Sequence, residues 1–259
     1  MIKRKRIQKY LHKQFQGIKN NLFEIGDNID KDKLHELRLH SKKAKAITSF
    51  LQESLGKKNE YSIKELKELF HCAGNIRTAQ LNLETIKHVG INNYAFEKSQ
   101  QFIIDNEAKK LTARTIEYQE QINTLEKRLY SNLHDVSNKG AIAFYHKNLR
   151  SLRDNLQITD ENKMHDNRKI IKKLLYTLKL LPSLVVKKIN VNKEYLDNLQ
   201  DLIGKWHDTV ITLEQLYEAG VTNENELAQL RRNQRDLFVA SIREIANFDS
   251  SVLLVKSHR

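Results

Sequence analysis

The 259 residues carry a formal net charge of +13, with 45 lysines and arginines against 32 acids. That excess opposes compaction unless an anionic partner draws on it. Eight glycines and one proline leave too little turn chemistry for a sandwich, a barrel or a doubly wound sheet, so the composition predicts an all-α chain.

Ile7, Leu11, Phe15, Ile18, Leu22 and Ile25 recur every three or four residues, with Lys5, Lys9 and Lys13 on the far side, the pattern of an amphipathic helix broken at Gly26 and Asp27. Leu34, Leu37, Ala44, Ile47, Leu51 and Leu55 predict a second helix from about Lys31, with Gly56 as its C-terminal cap. Ser62 and Glu65 read as a capping box before a third helix to about His88, and a long fourth runs from about Asn92 into the 130s. The second half predicts helices near 140–157, 161–181, 192–218 and 224–247, with Pro182 stopping the second of them. The segment Ser131 to Gly140 is the one plausible joint.

The two halves share a register. His35-Glu36-Leu37-Arg38 aligns with His165-Asp166-Asn167-Arg168 at an offset of 130 residues (35 to 165). With no gap, Lys42 and Lys43 then fall on Lys172 and Lys173, Gly74 on Gly204, and Arg77 on His207. Leu51, Leu69, Leu83 and Glu84 meet Leu181, Leu199, Leu213 and Glu214 in the same register. Such a pattern implies an internal duplication of one helical unit.

On a helix His35, Arg38, Lys42 and Lys45 share one face, as do His165, Arg168 and Lys172, with Lys173 beside them and Lys179 beyond. A ten-residue ridge is on the order of 15 Å long, more than one phosphate needs and suited to a chain of them. Lysines and arginines on a single helix are ordinarily its solvated face, and His35 and His165 can equally be helix-start residues satisfied by a neighbour. A solvated face, however, does not require His, then Arg, then Lys-Lys in both halves. Gly74 and Gly204 lie inside helical patterns, where glycine costs about 1 kcal/mol, so close helix packing is their expected reason.

The stretches Leu34 to Lys45, Met164 to Tyr176 and Leu199 to Asp208 closely resemble the signature helices of the CHAD family, the conserved-histidine α-helical domain. The resemblance covers nearly the whole chain. It implies one domain, residues 1–259, made of repeat 1 (1–130) and repeat 2 (138–259): two pseudo-symmetric four-helix bundles packed around a basic groove or pore. It further implies that His35, Arg38, Lys42, Lys43, Lys45, His165, Arg168, Lys172 and Lys173 bind inorganic polyphosphate, without catalysis or cofactor, in the cytoplasm and in association with polyphosphate granules. His207, Gly74 and Gly204 are then structural supports, and Asp208 is read as an acid that orients a ridge cation such as Arg168. The chain departs from the family at Gly74-Asn75-Ile76-Arg77-Thr78, which lacks the usual acid, and at Leu175, where a basic residue is usual.

Two rival readings fit the same residues. A nucleic-acid (RNA) binding module would exploit the same cations, but the ridges carry no interleaved aromatics for base stacking, and Trp206 among Leu202, Ile203 and Val210 reads as core. A metal or phosphoacceptor-histidine protein is suggested by ten histidines, yet the neighbours of His35 and His165 are cations, which repel a metal ion, and His40 is expected to be a bystander. No paired carboxylates converge on the ridges to hold a divalent ion or activate water, so a non-enzyme is expected. Cys72, with no basic partner at a fixed spacing, is expected to be buried and inert and cannot form an internal disulfide; no Cys/His spacing suits a structural zinc. The basic first sixteen residues have no apolar core, and no apolar run reaches membrane-spanning length, so a soluble protein without a membrane partner is expected.

Overall fold

A computed structural model describes residues 1–25, 30–57, 60–156 and 161–253; the side chains of residues 161 and 162 are not described. The fold is all-α, with no named strand among the described residues. The chain divides into two compact units, residues 1–136 and 137–259.

Unit 1 opens with α1 (Arg4–Glu24), whose stripe of Ile7, Leu11, Phe15, Ile18 and Leu22 is buried. α2 (Lys31–Leu55) packs along it. The Asp30 side chain accepts from the backbone N–H groups of Asp32 and Lys33, and Gly56, at φ 70°, ends the helix in the left-handed conformation that favours glycine. The predicted break at Gly26 and Asp27 lies outside the described residues.

The capping box predicted at Ser62 does not form. A 3₁₀ turn, Lys64–Leu66, precedes α3 (Lys67–Val89), which has no side-chain cap. Arg128 takes both partners instead, donating to the Ser62 carbonyl at 2.6 Å and to the Glu65 carboxylate at 3.0 Å. A charged tertiary partner outcompetes the local cap.

The predicted fourth helix is two, α4 (Tyr94–Ala113) and α5 (Thr115–Ser131). The break falls at Arg114, whose backbone leaves the helical region (φ −111°, ψ 15°) while its guanidinium pairs with Glu117 and Glu68. No glycine or proline marks the site, so periodicity runs through it. α5 packs back on α1, where buried Glu126 receives Lys19 at 3.1 Å, His12 at 2.8 Å and the Tyr130 hydroxyl. Burial pushes the Glu126 pKa up, and these three hydrogen bonds outweigh it and hold the group below the usual carboxylate range. An antiparallel bridge between Ile2 and Val136 joins the two ends of the unit.

Unit 2 comprises α6 (Asn138–Leu156), α7 (Glu161–Leu178), α8 (Ser183–Ile189), α9 (Lys193–Glu218), α10 (Glu224–Ala246) and α11 (Phe248–Ser251). α7 packs on both α6 and α9, and α9 on α10. Helix α7 ends short of Pro182, as expected, but the proline also starts a further helix, α8, which Asn190 closes at φ 55°. Seven residues are too few for a helical period to stand out. Trp206 is buried and meets Phe238 at 5.9 Å between ring centroids, and the Tyr145 hydroxyl donates to the Leu174 carbonyl at 2.8 Å.

One buried residue is unmatched to its surroundings. Asn167, on the inner side of α7, is fully buried, and neither its amide oxygen nor its nitrogen has a hydrogen-bond partner among the described residues. Leu37 occupies the corresponding place in α2. An orphaned buried amide costs roughly 1–3 kcal/mol, so Asn167→Leu is expected to raise unfolding free energy by about that amount, read as a higher denaturant midpoint at unchanged slope.

Candidate polyanion site

In α2 the buried Leu34, Leu37, Ala44, Ile47 and Leu51 fix which side faces the core. The ridge then runs along its flank: His35 and Lys45 are exposed, and Arg38 and Lys42 are half-buried. Arg38 lies across α3 at Gly74, where an added Cβ would stand 2.9 Å from the guanidinium Nη1. Three residues further along α3, Arg77 comes close enough to act on His35. Burial lowers the His35 pKa first, Arg77 lowers it further, and Lys42 and Arg38 add to this against the opposing pull of Glu36.

α7 repeats the arrangement more tightly. Met164, Ile171, Leu174 and Leu175 are buried, and the Arg168 guanidinium lies flat on α9 at Gly204. An added Cβ there would meet Nη2 at 2.5 Å and both Cζ and Nε at 2.8 Å. Each glycine follows its arginine by 36 residues (38 to 74, 168 to 204). The expected reason for these glycines, close helix packing, is thereby sharpened: the object that occupies the Cβ space is the arginine side chain rather than a helix backbone.

Where Arg77 stands near His35, His207 stands against His165, with ring centroids 4.2 Å apart and planes inclined by 38°. Burial, the His207 ring, Lys169 and Arg168 together push the His165 pKa down to about 4, with Asp166 opposing. His207 is lowered chiefly by burial, against Asp208, with Arg168 and Lys169 contributing. Both imidazoles are therefore neutral at pH 7. His165 Nδ1 and Arg168 Nε are buried polar atoms without a hydrogen-bond partner among the described residues.

The charge of Lys43 acts on His40, whose ring covers Gly17 of α1, and the Lys173 ammonium sits 5.3 Å over the Phe144 ring of α6. Lys43 and Lys173 thus flank the ridges on the side of α1 and α6, while His35, Arg38, Lys42 and Lys45, and His165, Arg168 and Lys172, keep the helical spacing of one face. Leu175 is core, so the second ridge ends one cation earlier than the first.

One expectation is corrected. Asp208 forms no ion pair with Arg168 among the described residues; its carboxylate instead favours the charged form of His207. His40, expected to be a bystander to ligand chemistry, packs α2 onto α1 over Gly17 and meets Gln14 Oε1 at 3.0 Å. Cys72 is buried in α3 as expected; burial first, then Glu107, pushes its thiol up to about 12. Arg77 and Lys169 belong to the site and were not singled out from sequence. The signal for Arg77 was present, because it follows His35 by the 42 residues that separate His207 from His165. Among the described residues no three His, Cys, Asp or Glu side chains gather as metal ligands, and no helix is long and apolar enough to cross a membrane.

The depressed His165 pKa sets a pH dependence. The unfolded chain takes a proton near pH 6.5 that the folded site refuses until about 4. Stability present above pH 6.5 is therefore lost as pH falls through that window. Melting temperature is expected to drop on acidification from pH 7 to 4.5, and His165→Gln is expected to make that drop shallower in the same thermal scans.

The family model for the CHAD domain matches residues 9–217. A crystal structure of the CHAD domain from the plant Ricinus communis superposes with a TM-score of 0.65 at 15% identity, covering 95% of this chain and 89% of that one. No curated protein sequence matches. With the family model spanning well over half of its residues, this chain belongs to the CHAD domain family.

Proposed function

We propose that the protein binds inorganic polyphosphate, a linear polyanion, through the cationic ridges of α2 and α7 and performs no chemistry on it. The observation that carries this reading is the seated arginine. Arg38 and Arg168 each lie on a glycine of the neighbouring helix, with a histidine one turn before and a lysine one turn after. A guanidinium held in place by packing gives up little rotamer freedom on meeting a phosphate oxygen. Neutral imidazoles beside it donate hydrogen bonds without adding to the repulsion among cations.

The ligand follows from three further considerations. The net charge of +13 favours an anion, membership of the CHAD family supports a phosphate chain, and a flexible polymer can meet successive cations along a helix on the order of 15 Å of ridge. Lys42 and Lys45 extend the first ridge, Lys172 the second, and Lys43 and Lys173 supply charge from the flanks. A cytoplasmic role at polyphosphate granules accords with such a module.

Affinity is expected to fall steeply between low and physiological salt, as counterion release requires of a charge-driven complex. Titration with long-chain polyphosphate, with RNA as competitor, measures this. Arg38→Glu or Arg168→Glu is expected to weaken binding by about tenfold or more, roughly 1.4 kcal/mol. Lys98→Glu, exposed on α4, is expected to stay within about twofold. Equal losses at all three positions, a flat salt response, or RNA displacing polyphosphate at equal phosphate concentration would each defeat the proposal.

Gly204→Ala separates seating from folding. Alanine favours a helix by about 1 kcal/mol over glycine, and a mobile side chain can yield, so helix content and melting temperature are expected to hold or rise. The guanidinium must nonetheless leave its place, so polyphosphate affinity is expected to fall severalfold. Gly74→Ala, which meets one guanidinium nitrogen rather than three atoms, is expected to lose less.

A further inference from the structure

The two ridges differ at one position of consequence. Unit 1 places the permanently charged Arg77 beside His35, whereas unit 2 places a second titratable ring, His207, against His165 at 4.2 Å. Two imidazoles so close cannot both hold a proton cheaply, so the pair titrates as one group that accepts a single charge. It faces Asp166, Arg168 and Lys169 from α7 and Asp208 from α9. Buried Nδ1 of His165 and Nε of Arg168 lack partners on the same ridge, so a phosphate oxygen that satisfied Arg168 would bring negative charge to the imidazole pair.

We propose that unit 2 is a proton-linked anion site, in which the His165–His207 pair takes up one proton as a phosphate chain binds, while unit 1 binds at fixed charge through Arg77. This rests on reading the ridges as polyanion sites. In the empty protein, burial and the neighbouring cations keep the pair neutral. A bound phosphate supplies the opposite charge that makes the imidazolium favourable. Affinity at unit 2 then rises as pH falls, and binding near neutrality draws a proton from the buffer. Acidification would thus strengthen the complex while it weakens the empty fold.

The test is calorimetric titration of the full chain with long-chain polyphosphate at pH 7.5, 6.5 and 5.5, each in two buffers of different ionisation enthalpy. Protonation of the ligand's own terminal phosphates is common to all variants and cancels in their differences. The wild-type chain is expected to take up more of a proton than His207→Arg, the difference growing toward one at pH 5.5, and its affinity to rise by about tenfold over this range. Arginine already occupies the corresponding place in unit 1, and circular dichroism checks that the variant is folded. His207→Gln is expected to lose the same uptake without gaining a charge, and His35→Gln to retain it. Uptake undiminished in both His207 variants, or lost in His35→Gln alone, overturns the proposal. So does wild-type binding without any uptake. Failure of the wild-type chain to bind polyphosphate at any of the three pH values overturns the polyanion reading instead.

Discussion

A guanidinium laid across a helix needs a place where that helix has no Cβ. Everything at the candidate site follows from this requirement, met at Gly74 for Arg38 and at Gly204 for Arg168. Glycine inside a helix gives up conformational stability, and the chain accepts that cost twice. In return a long, flexible cation is confined against the surface of the neighbouring helix. The histidine one turn away and the lysine one turn on take their positions from the same α2 and α7 surfaces, because the buried stripes of those helices leave the flanks no rotational freedom.

The electrostatics have a consistent direction. The chain has far more cations than acids, and the groups nearest the seated arginines that could add to this charge do not: His35, His165 and His207 are all driven toward the neutral form by burial and by surrounding cations. Elsewhere acids are used locally. Glu126 holds α5 to α1 through Lys19, His12 and Tyr130, and Arg114 and Arg128 are tied down by Glu68, Glu117 and Glu65. Carboxylates therefore serve as structural partners away from the ridges. On the ridge helices, Asp166 pairs with Lys169 in an exposed pair, a kind of contact worth little.

Most helices were legible from the sequence because their apolar stripes are long and regular. The failures share a cause. The Arg114 break, the missing cap at Ser62 and the short helix after Pro182 all depend on contacts between residues distant in sequence, or on segments too short to show a period. Arg128 reaches back 66 residues to the Ser62 carbonyl, and no local rule anticipates such a partner. The reading of Asp208 as a partner of Arg168 failed for a related reason. The two stand on different helices, and the guanidinium lies on Gly204 while the Asp208 carboxylate acts on His207.

By itself the sequence determined that this chain is helical, that it is strongly basic, and that His, Arg and Lys recur at one helical spacing in both halves, in register with a glycine 36 residues beyond each arginine. Those are consequences of composition and period, which a chain carries before it folds. Only the tertiary structure decided what the glycines are for, that Lys43 and Lys173 leave the ridges for their flanks, and that Arg77 meets His35 while His207 meets His165. Each of those depends on where a side chain on one helix comes to rest against another. That is fixed by packing at the ångström scale, and hydrophobic periodicity carries no record of it.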